Sequence, residues 1–137
     1  MNFSEHKLSL EIRPDMAELG RLTQVLDEFW QAHSLDEDKQ ADLNIAVEEI
    51  VSNVIRHAGT ALPIRVHVGL SAGRVSVEVQ DSGCAFDPLA HPLPDPGASL
   101  EQRRAGGLGI LMVTKMMDEV RYQRVEDRNS FTMILSR

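Results

Sequence analysis

One cysteine, no long apolar run and a shortage of basic residues set the first limits on this chain. The single Cys84 has no partner for an internal disulfide, which points to a reducing compartment. No apolar run approaches the length that crosses a bilayer, and the opening MNFSEHKLSL lacks the basic-then-apolar layout of a signal peptide. Lys and Arg number 14 against 21 Asp and Glu, a formal net charge of −7 that argues against non-specific binding to nucleic acid or an anionic membrane. A basic protein partner, or a nucleotide held with a metal ion, stays compatible with that charge. No internal repeat is visible. What remains is an ordinary composition, 42% apolar and 26% charged, in 137 residues that suffice for one domain with a core of its own. The expectation is a single cytoplasmic domain, residues 1–137, with no membrane or nucleic-acid partner.

The stretch DLNIAVEEIVSNVIRHAG at 42–59 organises the rest. At helical spacing Leu43, Val47, Ile50 and Val54 form one apolar stripe, and Glu49, Asn53 and His57 follow its border at intervals of four. Polar groups there need partners, since burying them unpaired is costly. Alone, such a spacing reads as a helix edge bonded to its neighbours.

Around this helix the pattern alternates between strand and helix. Residues 3–13 alternate with period two and stop at Pro14. From Asp15, an N-cap beside Glu18, apolar residues recur at helical spacing to about His33. Ser34 and Glu37 have capping-box spacing, so the second helix is predicted to start there and to end at a Gly59 C-cap. Residues 63–70 and 74–81 form a hairpin across Ser71-Ala72-Gly73. After Phe86-Asp87-Pro88 comes a proline-rich stretch to about 105 without periodicity, unusual in a small domain and more often functional than accidental. Ile110 to Met117 read as a buried helix, and 119–126 with 129–136 as a last hairpin across Asp127-Arg128, closed by Phe131, Met133 and Leu135. The fold class is therefore α+β, a single-layer, mostly antiparallel five-stranded sheet with three helices on one face.

Three motifs carry chemistry. Asp81 ends a strand and can accept from an exocyclic amine, while Gly83 lets a ring approach the backbone; alone, D-x-G reads as a plain turn. Gly106-Gly107-Leu108-Gly109 opens a helix, where unpaired N–H groups and the helix dipole favour phosphate; alone it reads equally as a loop end. Asn53 offers an amide oxygen to a hard cation such as Mg²⁺, and Glu49, one turn away, is placed to orient or deprotonate a hydroxyl.

In this order, AVEEIVSNVIRHA at 46–58, DSGCAFDP at 81–88 and GGLGILMVTKMMDEV at 106–120 resemble the Bergerat-fold ATPases, which include gyrase, histidine kinases and MutL. The chain is most similar to their small bacterial branch, the anti-sigma factor serine/threonine kinases of the RsbW and SpoIIAB type. The resemblance covers essentially the whole chain and implies ATP and Mg²⁺ as cofactors. It implies Glu49 as catalytic base, Asn53 as Mg²⁺ ligand and Asp81 as acceptor for the adenine amine. Gly83 would lie beside the base, with Gly107, Leu108 and Gly109 under the phosphates and Thr132 near the adenine. Residues 88–105 would be the ATP lid, with Arg104, or Arg103 one residue earlier, near the terminal phosphate. For Thr132 a strand threonine satisfied by a neighbour fits equally, and for the arginines a solvated pair. His57, a common residue of the family, reads as a satisfied, partly buried histidine, and Trp30 and Cys84 as packing residues. The lid is proline-rich where longer ATPase lids are dense in glycine.

By the same resemblance the chain would phosphorylate a STAS-domain anti-sigma factor antagonist, sequester a sigma factor and form a homodimer, for which the apolar alternation of residues 3–13 offers an edge strand. The alternative is a nucleotide-gated binding module with little kinase activity, against which the presence of both Glu49 and Asn53 counts. A detached histidine-kinase catalytic domain fits less well, because the first 40 residues hold no extended dimerisation hairpin and His6 and His33 lie in a strand and at a helix end. A gyrase-like motor would need a further domain, for which 137 residues leave no room.

Overall fold

The computed structural model describes residues 5–57, 59–90 and 109–137. Strand β1 (His6–Ile12) leads through a 3-10 turn at Met16–Glu18 into α1 (Leu19–Ala32), followed by α2 (Glu37–His57). The hairpin β2 (Ile64–Leu70) and β3 (Arg74–Asp81) follows, then a short 3-10 turn at Pro88–Ala90. Helix α3 (Gly109–Met116) and the hairpin β4 (Glu119–Val125) and β5 (Arg128–Ser136) complete the described chain. The sheet order is β1-β2-β3-β5-β4, and every neighbouring pair is antiparallel. The expected five-stranded α+β arrangement is present, with the sheet antiparallel throughout.

Strand alternation divides the sheet into two faces. Val66, Val68, Val75, Val77, Phe131 and Met133 point one way into a core shared with Leu22, Leu26, Leu43, Val47, Ile50 and Val113 of the helices. The opposite parity is polar and carries cross-strand pairs: Arg65 Nε to Glu11 Oε1 at 3.0 Å, and Ser130 Oγ donating to Glu78 Oε2 at 2.6 Å. Pairs of that kind contribute roughly 0.2–1 kcal/mol each, so the sheet is held mainly from its helical side. On that side α1 buries Leu22, Leu26 and Trp30 completely or nearly so. Each contributes about 1.5–3 kcal/mol relative to exposure. The indole N–H of Trp30 donates to Asn44 Oδ1 at 2.9 Å, and Asn44 Nδ2 donates to Asp27 Oδ1 at 2.6 Å, which ties α1 to α2 without an orphaned polar group. Trp30 is thus the packing residue expected.

Three local expectations shift. Helix α2 does not begin at Ser34, because Ser34 has φ 57° and closes α1 instead, its N–H bonding to Gln31 O while that of Leu35 bonds to Trp30 O. This is a Schellman end, and the N-terminal cap of α2 falls to Asp36, whose Oδ1 accepts from Asp38 N at 2.9 Å. The last hairpin turns at Glu126-Asp127, both at positive φ, with Val125 paired to Arg128; the turn is a two-residue primed one, one residue earlier than the spacing suggests. Cys84 is exposed rather than packed. Asp15 does cap the first turn, accepting from Ala17 N, and Gly59 has φ +65° beyond the end of α2.

The entry to α1 is held by Glu18. Its carboxylate accepts from Arg21 Nε at 3.0 Å and from both Arg13 N and Nε at 3.1 and 3.3 Å. The Arg21 guanidinium first, and the Arg13 backbone N–H second, pull its pKa from 4.5 down to about 2. A depressed carboxylate stabilises the fold above the unfolded-state pKa and loses that contribution as pH falls through the folded one. The urea midpoint of wild type should therefore exceed that of Glu18→Gln at pH 6, with the gap shrinking below pH 4.5 and vanishing near pH 2. A gap independent of pH over that window would show that charge is not what Glu18 contributes.

Candidate functional site

Successive turns of one border of helix α2 meet different neighbours. Ile50, Asn53 and Val54 line a narrow recess together with Val79 and Asp81 of β3, Phe86 and Pro88 beyond it, Tyr122 of β4, and Asn129 and Phe131 of β5. Glu49 lies toward α3. A side-chain carbon built on Gly109, the first residue of α3, would stand 2.1 Å from Glu49 Oε2, so the carboxylate rests on the start of that helix and only glycine leaves room for it. The N-terminal end of a helix is where a negative charge is favoured.

At the other end of the recess Asp81 is 4% exposed. Its Oδ1 accepts from Gly83 N at 2.9 Å and from Asn129 Nδ2 at 3.0 Å, and among the described residues no donor reaches Oδ2. A buried acceptor of this kind, beside apolar walls, suits a ligand that brings a donor. Asn53 is also buried, and its Oδ1 accepts from Arg56 Nη2 at 3.3 Å. A cation therefore already sits on the oxygen that a metal would use. Among the described residues no cluster of three His, Cys, Asp or Glu could hold a metal by itself. The ring of His57 stacks on Phe86, centroids 5.2 Å apart and planes 18° apart, and forms part of the wall behind the recess.

Of the residues singled out from sequence, Asn53 and Asp81 share the recess, Gly83 binds Asp81, and Glu49 meets Gly109. Thr132 is not brought to the site. It pairs with Glu78 and Arg121 on the polar face of the sheet, the parity opposite to Asp81 and Phe131. The residue of β5 that does face Asp81 is Asn129, in register with it and 5% exposed. Reading β5 by twos from Phe131 would have found it. Arg103, Arg104, Gly107 and Leu108, and the expected lid beyond residue 90, lie outside the described residues. A second, more open depression lies past Asp81, floored by Arg65, Gln80, Ser82 and Arg128. It lacks the helix wall and the aromatic sides of the first, which is therefore the better candidate.

A family model described as a histidine kinase-like ATPase domain matches residues 12–135. The chain is 30% identical over 121 residues to the serine-protein kinase RsbW of Listeria monocytogenes, covering 83% of this chain and 76% of that one. It is 28% identical over 113 residues to the serine/threonine-protein kinase BtrW of Bordetella bronchiseptica, covering 77% and 80%. Among solved structures, the RsbU and RsbW domains of Rv1364c from Mycobacterium tuberculosis superpose with a TM-score of 0.69 at 19% identity, covering 96% of this chain and 33% of that longer one. The SiaB–SiaC complex from Pseudomonas aeruginosa gives 0.63 at 17% identity, covering 95% and 88%. At those identities the superpositions speak for the fold alone.

The contact between Glu49 and Gly109 makes a local prediction. Because the atom in the way is the end of a flexible side chain, Gly109→Ala should turn Glu49 aside without unfolding the protein. The thermal midpoint should stay within about 5 °C of wild type, while a crystal structure shows the carboxylate off the start of α3. A Glu49 carboxylate in its original place would refute the contact.

Proposed function

Since the chain belongs to the histidine kinase-like ATPase family, with serine-protein kinases among its relatives, we propose that it is an ATP-dependent anti-sigma factor kinase. Its substrate in this reading is a serine or threonine of a STAS-domain anti-sigma factor antagonist. The unphosphorylated antagonist competes with a sigma factor for the kinase, and phosphorylation releases it. The single observation that carries the reading is the border of α2, where Asn53 lines the recess and Glu49, one turn earlier, has its carboxylate seated at the first residue of α3.

The residues fit a nucleotide. The unpaired Oδ2 of Asp81 accepts the exocyclic amine of adenine, and Ile50, Val79 and Phe131 supply the apolar walls for the ring. The start of α3 favours the phosphates by its dipole. Asn53 Oδ1 is a hard donor suited to Mg²⁺, which keeps most of its shell from water and phosphate and needs no further carboxylate here. Bound there, Mg²⁺ neutralises charge on the phosphates. In the transfer the hydroxyl oxygen of the substrate attacks the terminal phosphorus, the bond to the bridging oxygen breaks, and ADP leaves. Glu49 takes the hydroxyl proton as the new bond forms.

No helix among the described residues is long and apolar enough to cross a membrane, and we place the protein in the cytoplasm with its partners. A homodimer completes the proposal: β1 pairs only with β2 among the described residues and leaves an outer edge open to a second copy.

Two variants separate binding from chemistry. Glu49→Ala should keep its ATP affinity in calorimetry, yet single-turnover transfer from labelled ATP to the antagonist should fall by about 10²–10⁴, the usual share of a positioned base. Asn53→Ala should lose both Mg²⁺-dependent ATP binding and transfer. Asp81→Asn should weaken ATP about ten- to a hundredfold, from a charged hydrogen bond of roughly 1.5–3 kcal/mol. Transfer at the wild-type rate in Glu49→Ala removes the base assignment. A wild-type protein that binds ATP and phosphorylates no STAS-domain protein is instead a nucleotide-gated binding module. The dimer is checked by sedimentation, where a mass that stays monomeric at every concentration would exclude it.

A further inference from the structure

Asn129 lines the recess but has nothing left to offer a ligand. Its Oδ1 accepts from Tyr122 Oη at 2.5 Å, from Phe86 N at 3.2 Å and from Arg124 Nη1 at 3.2 Å. Both hydrogens of Nδ2 are used, on Asp81 Oδ1 at 3.0 Å and Cys84 O at 2.8 Å. A carboxamide has two donors and one acceptor oxygen, so its capacity is spent entirely on protein groups. The orientation of the amide is fixed by those partners. Turned over, it would set two hydrogens against the Arg124 and Phe86 donors and its oxygen against Asp81 Oδ1 and Cys84 O. Arg124 Nη1 also donates to Gly83 O at 2.8 Å, so the same edge strand holds the turn whose N–H binds Asp81.

We propose that Asn129, anchored by Tyr122 and Arg124 of β4, is a positioning residue that holds Asp81 as a fixed acceptor and so makes the site select a 6-amino purine over a 6-oxo purine. The inference rests on the nucleotide reading above. A carboxylate oxygen facing the ligand accepts from an amine but repels a carbonyl oxygen. A site built around that acceptor is left unpaired when the donor is missing, which is where large discrimination arises. A carboxyl group that turns away from the ligand loses the distinction. The Nδ2 donation to Oδ1, with that of Gly83 N, opposes such a turn.

The test compares ATP with inosine triphosphate, its 6-oxo analogue, by calorimetry on the full chain in wild type, Asn129→Asp and Tyr122→Phe. Asn129→Asp keeps the shape and the oxygen facing Tyr122 but replaces the donor facing Asp81 with a second carboxylate oxygen. The wild type should prefer ATP by about a hundredfold or more, and Asn129→Asp should cut that preference at least about tenfold, mainly by weakening ATP. Tyr122→Phe, which loosens the amide by one hydrogen bond, should cut it by roughly threefold. A merely structural role weakens both nucleotides by the same factor, and an unchanged ratio in a folded Asn129→Asp overturns the proposal. Should Asn129→Asp fail to fold, Tyr122→Phe decides: a reduced ratio supports the proposal and an unchanged one overturns it. A wild-type protein that binds neither nucleotide overturns the nucleotide reading itself, and the positioning role with it.

Discussion

A carboxylate buried at the end of a central strand is the constraint on which the rest depends. Asp81 is almost wholly out of water, and a charge so placed persists only where donors converge on it. One comes from the turn that follows it, Gly83 N, and one from the neighbouring strand, Asn129 Nδ2. The second donor exists only because the β3–β5 register sets Asn129 opposite Asp81. A slip of one residue on β5 would put that amide on the polar face and a polar-face residue against the carboxylate. The two-residue turn at Glu126-Asp127 fixes the neighbouring β4–β5 register, which brings Tyr122 and Arg124 of β4 to Asn129; its positive φ values cost energy in residues other than glycine. The polar pair aligns β5 with β3 and the turn aligns it with β4, and the hydrophobic alternation of Phe131, Met133 and Leu135 agrees with both.

Helix α2 answers the same constraint from the other side. Its apolar stripe is committed to the core, so Glu49 and Asn53 appear at its border, where successive turns meet different neighbours. One turn of helix separates Glu49 from Asn53, yet Asn53 closes the recess while Glu49 meets α3. In the proposed mechanism the helix would separate a group that holds from a group that reacts by about one helical turn, at a spacing fixed by backbone hydrogen bonds rather than by loops. Catalytic groups on such an element are held more firmly than on a connection.

This arrangement was legible in the sequence to the extent that it follows from periodicity. The stripe of α2 and the alternation of β2 and β3 rest on periodicity, whereas bringing Asp81 and Gly83 to Asn53 rested on the family resemblance. The errors came where a local rule was overridden. Ser34 and Glu37 have capping spacing, but the chain needed Ser34 in the left-handed region to end α1, and Asp36 took the cap. Glu126-Asp127 carries no glycine or asparagine to announce a primed turn. Thr132 was carried over from a family pattern against the evidence of the strand itself, since inward Phe131 and Met133 require it to face outward. Asn129 escaped notice because an asparagine two residues past a turn reads as turn chemistry, and its network with Tyr122, Arg124 and Asp81 is visible only in three dimensions.

Charge decides how such a site could hold a polyanion. With a net charge of −7 the chain as a whole repels triphosphate, but exposed charges beyond about 8–10 Å are largely screened at physiological salt, so the near field matters most. Near the proposed phosphate end the described residues supply a carboxylate, Glu49, and one guanidinium, Arg56, which is engaged with Asn53. The start of α3 offsets only part of a unit charge. A cation that arrives with the ligand would add to that compensation, and Asn53 Oδ1, the oxygen already drawing Arg56, is the donor on α2 suited to receive it. A metal at Asn53 would displace or share that contact, so occupancy of the phosphate end and the position of Arg56 at the exposed edge of α2 are coupled by competition for one oxygen.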